Sequence, residues 1–259
     1  MTFNFPPLTL ATGPRILYNA AMQPTPANYN DFLTALEQAA EPTYAAFAER
    51  LIPQCSLPLW GVRLPTLRRL AKRIAAARGP VFFRSAPPPA CFEDAMVRGM
   101  LPGYFSHATP AERCAAIDKV LPWLDNWSLV DSCCATYRFA ATARKELWPW
   151  LRRHALSGDE FRARFGIVML LYHYLADAAW AARTADLLPR LKAGRLYTDM
   201  GAAWCACEII LQHPQLAPQL MAENTLSDTV RQLTLKKLRE SRRKPRGGTD
   251  SPVSDTQGA

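Results

Sequence analysis

The chain has 259 residues, of which 49% are hydrophobic and 20% are charged. This length and composition suit a globular protein with a large buried core and exclude a largely disordered chain. Lysine and arginine outnumber aspartate and glutamate by 31 to 22, which gives a formal net charge of +9 at pH 7. A surplus of this size is typical of proteins that bind a polyanion such as DNA, RNA or an anionic membrane surface.

The seven cysteines, at positions 55, 91, 114, 133, 134, 205 and 207, include no Cys-x-x-Cys pair and no cysteine/histidine set with zinc spacing. We therefore expect buried, reduced thiols in a cytosolic protein. The first residues have no basic segment and are broken by prolines, which argues against a signal peptide. The most apolar run, residues 165–182, contains His173 and Asp177, so we interpret it as a buried helix rather than a membrane span.

Composition divides the chain into three segments. Residues 1–28 hold five of the 22 prolines and are predicted to form an irregular arm. Residues 247–259 are rich in Gly, Ser, Thr and Asp and predict a disordered tail. Between them, residues 29–246 show helical periodicity, with neither strand alternation nor a hairpin turn.

Helix start signals recur along this central segment. Asn30 is the predicted N-cap of the first helix, and Pro42 and Pro65 fit the first turns of the next two. Capping boxes predict helix starts at Thr109 and Ser157, each with a glutamate three positions later. Further helices are predicted at about 178–191, 196–212 and 225–242.

Successive helices joined by short turns favour an all-α array of stacked helices. HEAT-type repeats of about 40 residues would give roughly six units over this length. No self-similar repeat is visible, and a globular α-bundle fits the same pattern.

The segment LDNWSLVD, residues 124–131, is the strongest candidate for chemistry. If it is helical, Trp127 and Asp131 lie one turn apart on the same face. An aromatic face beside a carboxylate can stabilise a developing cation. The alternative is a core tryptophan with a capping or turn aspartate.

Two further residues accompany this pair. Arg164 stands at the start of an otherwise apolar helix, where it either has a function or simply extends its stem toward water. Trp204 follows the small residues Gly-Ala-Ala, which let a neighbouring backbone come close. Core packing is the alternative explanation for Trp204.

Lysine and arginine concentrate in three clusters, which would supply sequence-independent affinity for phosphates. The alternative at each position is a solvated helix face. The first basic cluster comprises Arg63, Arg68, Arg69, Lys72 and Arg73, the second Arg144, Lys145, Arg152 and Arg153, and the third Arg231, Lys236, Lys237, Arg239, Arg242, Arg243, Lys244 and Arg246.

Four motifs follow one another along the chain: GVRLPTLRRL at residues 61–70, Trp127 followed by Asp131, Arg164 before Phe-Gly-Ile-Val, and Trp204 after Gly-Ala-Ala. In this order and at these separations they resemble the motifs of the AlkD-like DNA alkylation repair family. The C-terminal LRESRR, residues 238–243, is similar to the ending of a common bacterial branch. The resemblance covers residues 30–244.

The resemblance implies HEAT-like helix pairs stacked into a curved α-solenoid with a basic concave groove for duplex DNA. It implies a monomeric cytoplasmic enzyme, without metal or cofactor, that hydrolyses the N-glycosidic bond of N3- or N7-alkylated purines. By motif match, Asp131 would be the catalytic carboxylate, Trp127 and Trp204 would pack against the lesion's deoxyribose, and Arg164 would hold the DNA backbone. Further DNA contacts are expected at Arg63, Arg68, Arg69, Lys72, Arg239, Arg242 and Arg243.

The implied chemistry agrees with these residue types. A cationic alkylpurine is already a good leaving group, so the barrier lies mostly in the oxocarbenium character of the sugar, which a carboxylate and aromatic faces can stabilise. The resemblance also implies that the base remains stacked, unlike in enzymes that extrude their target base. A further aromatic from the first helices is left open between Tyr44 and Phe47.

Three other functions are weighed against this one. A catalytically silent relative that binds unusual DNA structures would be favoured by loss of Asp131, Trp127 or Trp204, and all three are present. A HEAT-type scaffold for another protein has no need of a Trp-x-x-x-Asp pair. A small-molecule enzyme fits least, since no nucleotide loop, Ser/His/Asp set or metal cluster is apparent.

Overall fold

A computed structural model describes residues 25–77 and 87–243. These ranges contain α-helices and short 3-10 helices and no β-strand, which confirms the predicted all-α class. Residues 1–24 of the predicted arm and the whole predicted tail lie outside the described residues. The α-helices are α1 Tyr29–Gln38, α2 Pro42–Leu51, α3 Leu64–Ala77, α4 Phe92–Tyr104, α5 Pro110–Val120, α6 Trp127–Cys134, α7 Arg144–Ala155, α8 Glu160–His173, α9 Ala178–Leu187, α10 Leu196–Gln212, α11 Ala217–Met221 and α12 Asp228–Glu240.

The helices pack as a ladder of neighbours. From α3, the series α4, α6, α8, α10 and α12 continues side by side, while α5 packs on α4 and α7 packs on α8. Helices α4, α8 and α10 have long buried stretches because neighbours cover them on several sides. This is the arrangement of a helical repeat protein, in which each unit contacts mainly the next.

Several predicted helix starts are confirmed. Thr109 caps α5 in a capping box: its hydroxyl accepts from the N–H of Glu112 at 3.3 Å, and the Glu112 carboxylate accepts from the N–H of Thr109 at 2.8 Å. Pro42 opens α2 and Pro65 stands at the second position of α3. These positions tolerate proline because their N–H groups have no partner within the helix.

Two predicted caps are wrong. The side chain of Asn28 accepts from the N–H of Asp31 at 3.0 Å and caps α1, so Asn30 lies inside the first turn. Asp159 caps α8 by accepting from the N–H three residues later at 2.8 Å. Ser157 instead accepts from the N–H of Asp159 at 3.0 Å, which shapes the turn before the helix. In both cases a nearby polar side chain has the better reach to the free N–H groups.

The apolar run at residues 165–182 is divided between two helices. Helix α8 ends at His173, and the Asp177 side chain accepts from the N–H groups of Ala179 and Trp180 to begin α9. Most of α8 is buried, as expected for a core helix. Across the described ranges, no helix combines the length and apolar character that crossing a membrane requires.

Helix α4 buries an ion pair that joins it to α1. Asp94 and Arg98 are at most 2% exposed and bind through two contacts, of 2.6 and 3.0 Å. The Tyr29 hydroxyl donates to Asp94 at 2.6 Å, and the Arg98 guanidinium lies 4.9 Å from the Tyr29 ring centroid. Because desolvation offsets most of the attraction in a buried pair, this cluster orients α1 on α4 more than it adds stability.

The Gly-Val-Arg segment before α3 depends on Gly61 and the buried Glu93. Gly61 has φ of +89°, and a Cβ there would lie 2.3 Å from the Glu41 carbonyl oxygen. The Glu93 carboxylate accepts from the N–H of Gly61 at 2.7 Å and from the N–H groups of Trp60 and Val62 at 3.0 and 3.1 Å. This part of the family-like motif therefore joins α2, α3 and α4.

Candidate active site

Helix α6 presents the two residues that the sequence singled out. The side chain of Asn126 caps the helix by accepting from the N–H of Leu129 at 3.0 Å. Trp127 is then the first helical residue and Asp131 lies one turn later, both half-buried. The prediction that this segment is helical is confirmed, so the aromatic ring and the carboxylate share one face.

The Asp131 carboxylate is bound by Arg164 of α8. The Arg164 Nε donates to one carboxylate oxygen at 2.9 Å and Nη2 donates to the other at 2.7 Å. The remaining terminal nitrogen, Nη1, donates to the Tyr197 carbonyl oxygen of α10 at 2.9 Å. Side-chain exposure is 15% for Asp131 and 6% for Arg164. The position of Arg164 in an apolar helix is thus explained by a buried partner as well as by any contact with DNA.

The surroundings of Asp131 act on its protonation in opposite directions. Burial is the largest influence and raises the pKa of Asp131 above its ordinary value, whereas the hydrogen bonds and charge of Arg164 and the charge of Lys237 act to lower it. A carboxylate with few surrounding waters exerts a stronger field on a nearby cation than one in bulk water. Asp131 is therefore suited to stabilising positive charge beside it.

Trp127 borders a cavity of about 150 Å³ between α2 and α6. Its indole N–H donates to the Leu51 carbonyl oxygen at 3.2 Å, which fixes the ring against the end of α2. Tyr44 and Phe47 line the same cavity, with ring centroids 6.3 Å apart. Phe47 is the more exposed, at 48%. Both aromatic residues that the sequence left open therefore lie beside Trp127.

Trp204 lies on α10, the next inner helix after α8. A Cβ built on Gly201, one turn earlier, would lie 3.6 and 3.7 Å from atoms of the Arg164 side chain. Gly201 therefore lets α10 lie directly against the Arg164 side chain, whereas the sequence predicted the close approach of a backbone. The Trp204 ring contacts Tyr172 edge-to-face, with centroids 5.7 Å apart and planes at 88°.

Tyr197 is a site residue that sequence reasoning missed. Its carbonyl oxygen accepts from Arg164, its backbone N–H donates to Glu160 at 2.6 Å, and its hydroxyl donates to Gln54 at 2.5 Å. Its ring packs on Phe161 with centroids 5.4 Å apart. The start of α10 is thereby held by α8 and by the loop after α2. Gln54 is 143 positions away in sequence, so no local sequence pattern could predict this contact.

The first basic cluster lies along α3 and the turn before it. Arg63 forms an exposed ion pair with Glu41 at 2.8 Å. Arg68 is half-buried. Both Arg68 and Asp131 act on the pKa of Tyr172, where the charge of Arg68 lowers it and the charge of Asp131 raises it, so Arg68 lies near the site. The exposed members of the cluster are Arg63, Arg69 and Lys72.

The second and third basic clusters are partly engaged within the protein. Arg144 donates to the His173 carbonyl oxygen at 2.7 Å, which holds α7 on α8. Arg243 pairs with Glu208 of α10, with Nη1 and Oε2 3.0 Å apart. Lys237 is half-buried and acts on Asp131. Arg231, Arg239 and Arg242 are exposed, whereas Lys244 and Arg246 lie outside the described residues.

The cysteines are free thiols, six of them buried and Cys55 half-buried. Within residues 25–77 and 87–243, no group of three or more His, Cys, Asp or Glu side chains could hold a metal ion.

An all-α ladder whose adjacent inner helices carry an Asp–Arg pair and two tryptophans defines a helical repeat protein with a candidate polar site in its core series. The family model described as DNA alkylation repair enzyme matches residues 32–193, which is more than half of the chain. The chain belongs to this family. The match includes Trp127, Asp131 and Arg164 and ends before Trp204. No curated protein and no solved structure gives a significant match.

Proposed function

We propose that this protein is a DNA glycosylase that hydrolyses the N-glycosidic bond of cationic N3- or N7-alkylated purines in duplex DNA. The observation that carries the proposal is the Asp131 carboxylate, which is mostly buried, one turn from Trp127 and bound by Arg164. Membership of a DNA alkylation repair family supplies the substrate polymer. The protein acts as a monomer and uses no metal or organic cofactor.

In the proposed reaction, the bond between the sugar C1′ and the purine nitrogen breaks, and its electron pair neutralises the cationic base. Positive charge then develops on the sugar, where Asp131 and the aromatic faces of Trp127 and Trp204 stabilise it. Water adds to C1′ and loses a proton to Asp131 or to solvent. The products are a free alkylpurine and an abasic site.

Arg164 has two functions in this proposal. Its bidentate contact orients the carboxylate and favours the ionised form. A guanidinium has five N–H groups, and Arg164 uses three of them for Asp131 and Tyr197. Among the described residues, one N–H on each terminal nitrogen has no acceptor, and a phosphate oxygen of the lesion strand would bind there. The same arginine can hold the catalytic carboxylate and the DNA backbone.

The test is single-turnover release of 7-methylguanine and 3-methyladenine from methylated duplex DNA. Asp131→Asn is expected to lower the rate about a hundredfold, as for loss of one preorganised electrostatic group. Because the change also leaves Arg164 buried without its counter-charge, the free energy of unfolding should fall as well. DNA affinity of the folded variant should persist.

The matched control is Asp94→Asn. This residue also belongs to a buried Asp–Arg pair, with Arg98, and has no proposed part in chemistry. Asp94→Asn should lose stability and keep base release, measured below its unfolding temperature. Equal activity of the wild type and Asp131→Asn would remove Asp131 from the mechanism. DNA binding without base release by the wild type would favour a silent DNA-binding relative.

A further inference from the structure

Tyr172 is a residue of the site that the family-like motifs do not include. It lies near the end of α8 and is 39% exposed, although its neighbours in the sequence are buried. Its ring meets the Trp204 ring edge-to-face at 5.7 Å. This geometry is a favoured one, because the positive edge of one ring faces the negative face of the other. The exposed Tyr172 ring therefore contacts one of the two tryptophans of the proposed reaction.

The backbone that follows Tyr172 is held by the side chains of the next two residues. The next residue, His173, places its Nε2 2.8 Å from the Cys134 carbonyl oxygen at the end of α6. The residue after it, Tyr174, donates its hydroxyl to the Arg144 carbonyl oxygen of α7 at 2.9 Å. Because α8 is tied to α6 and α7 at this point, the ring of Tyr172 extends from a rigid support, which is what a positioning residue needs.

The hydroxyl of Tyr172 stays protonated beside the catalytic carboxylate. Burial raises the pKa of Tyr172 to about 12, and the negative charge of Asp131 acts in the same direction. At neutral pH the residue, like any tyrosine, adds no negative charge to a surface that must accept phosphates. Its contribution to the site is a neutral aromatic ring.

We propose that Tyr172 is a positioning residue that sets the orientation of the Trp204 ring toward the sugar of the bound lesion. The inference rests on the proposed glycosylase function and adds a residue to it. Tyr172 acts through its ring and through Trp204, so its loss affects the rate of base release more than the affinity for DNA. Phenylalanine preserves the ring and preserves the function.

The experiment compares Tyr172→Leu, Tyr172→Phe and the control Leu196→Ala, which removes a 58% exposed apolar side chain from the helix that carries Trp204. Tyr172→Leu should lower the single-turnover rate about fivefold, the loss expected for one edge-to-face pair. Its Kd for lesion-containing duplex should stay within about twofold, since no phosphate contact is removed. Tyr172→Phe and Leu196→Ala should both match the wild type.

A second measurement needs no catalysis. In protein labelled with 5-fluorotryptophan, the ¹⁹F resonance of Trp204 is assigned by its disappearance in Trp204→Phe. Tyr172→Leu should move this resonance, and Tyr172→Phe should leave it near its wild-type position. An unmoved resonance in Tyr172→Leu, or a rate defect of Tyr172→Phe as large as that of Tyr172→Leu, would overturn the proposal. If the wild type released no base, the glycosylase function would fail, and the fluorine spectra would then test only whether the Tyr172 ring lies against Trp204.

Discussion

Asp131 and Asp118 experience opposite electrostatic surroundings. For each, burial is the largest single influence and raises the pKa. At Asp131 burial prevails over Arg164, so the pKa is raised. At Asp118 the close approach of His154 and the hydrogen bond from Trp150, together with nearby positive charge, outweigh burial and hold the pKa below its ordinary value. Both aspartates join neighbouring helices, and their pKa values are shifted in opposite directions.

A prediction for Asp118 follows at the same scale. Its carboxylate accepts from the Trp150 indole N–H at 3.1 Å and lies 3.0 Å from the His154 Nε2, which links α5 to α7. Asp118→Asn should lower the free energy of unfolding at pH 7 by about 1 kcal/mol, a modest value because the Asp118 side chain is 38% exposed. Urea unfolding of the two proteins measures this difference.

The pH dependence of that difference gives the sharper test. Because the folded-state pKa of Asp118 is lowered, its contribution is complete above the unfolded-state pKa and is lost as pH falls through the folded-state pKa. The stability difference between the wild type and Asp118→Asn should therefore be constant near neutral pH and shrink in acid. A difference that grew as the pH fell would contradict the assigned direction.

At the scale of elements, the loops that connect helices carry constraints that single helices do not. Gly61 and Gly194 both have positive φ, at +89° and +94°. A Cβ on Gly61 would lie 2.3 Å from a backbone oxygen at the start of α2, whereas a Cβ on Gly194 would meet no heavy atom within 4 Å. Comparing a substitution at Gly61 with one at Gly194 therefore distinguishes the cost of backbone strain from the cost of steric crowding.

Gly194→Ala should cost about 1 kcal/mol of stability, because only the positive φ is strained. Gly61→Ala should cost about 3 kcal/mol, because α2 or α3 must also move away from the new methyl group. Thermal or urea unfolding measures both, with Gly194→Ala as the matched control. Equal losses would show that the approach of α2 to the Gly61 turn is not a fixed feature of the fold.

At the scale of the whole molecule, the site depends on helices beyond the matched family region. The match ends at residue 193, yet α10 supplies Trp204 and the Tyr197 carbonyl that receives Arg164. Helix α12 packs on α10 and brings the charge of Lys237 to bear on Asp131. This dependence follows from the order of the helices, because α10 is the inner helix that packs on α8 and therefore contacts Arg164.

The net charge of +9 predicts DNA affinity that falls steeply with salt, and α12 allows its sources to be separated. Arg239 and Arg242 are exposed, whereas Arg243 is paired with Glu208. Replacing Arg239 and Arg242 together with glutamine should reduce the slope of log Kd against log salt by about two. Arg243→Gln should change the slope by less than one, because this arginine already has a counter-charge. Binding isotherms at several salt concentrations give both values.

A slope unchanged by the double replacement would remove the exposed arginines at and just after the end of α12 from the DNA interface. A larger effect of Arg243→Gln than of the double replacement would mean that the ion pair with Glu208 opens when DNA binds.

The sequence by itself determined the all-α class, several helix starts and the placing of Trp127 and Asp131 on one face. These features depend on residues within one or two turns of each other, where periodicity and capping chemistry act directly. Capping failed only where two polar residues competed, as at Ser157 and Asp159, because the choice rests on the reach of each side chain.

Only the tertiary structure decided which residues complete the site. The Asp131–Arg164 pair, the Tyr172–Trp204 contact and the tie of Tyr197 to Gln54 join residues 32 to 143 positions apart. Such contacts follow from which faces of neighbouring helices meet, and the periodicity of any one helix does not contain that information. The same reason explains the basic clusters. The three clusters are similarly rich in lysine and arginine, and packing determines which of their charges pair inside the protein and which remain for DNA.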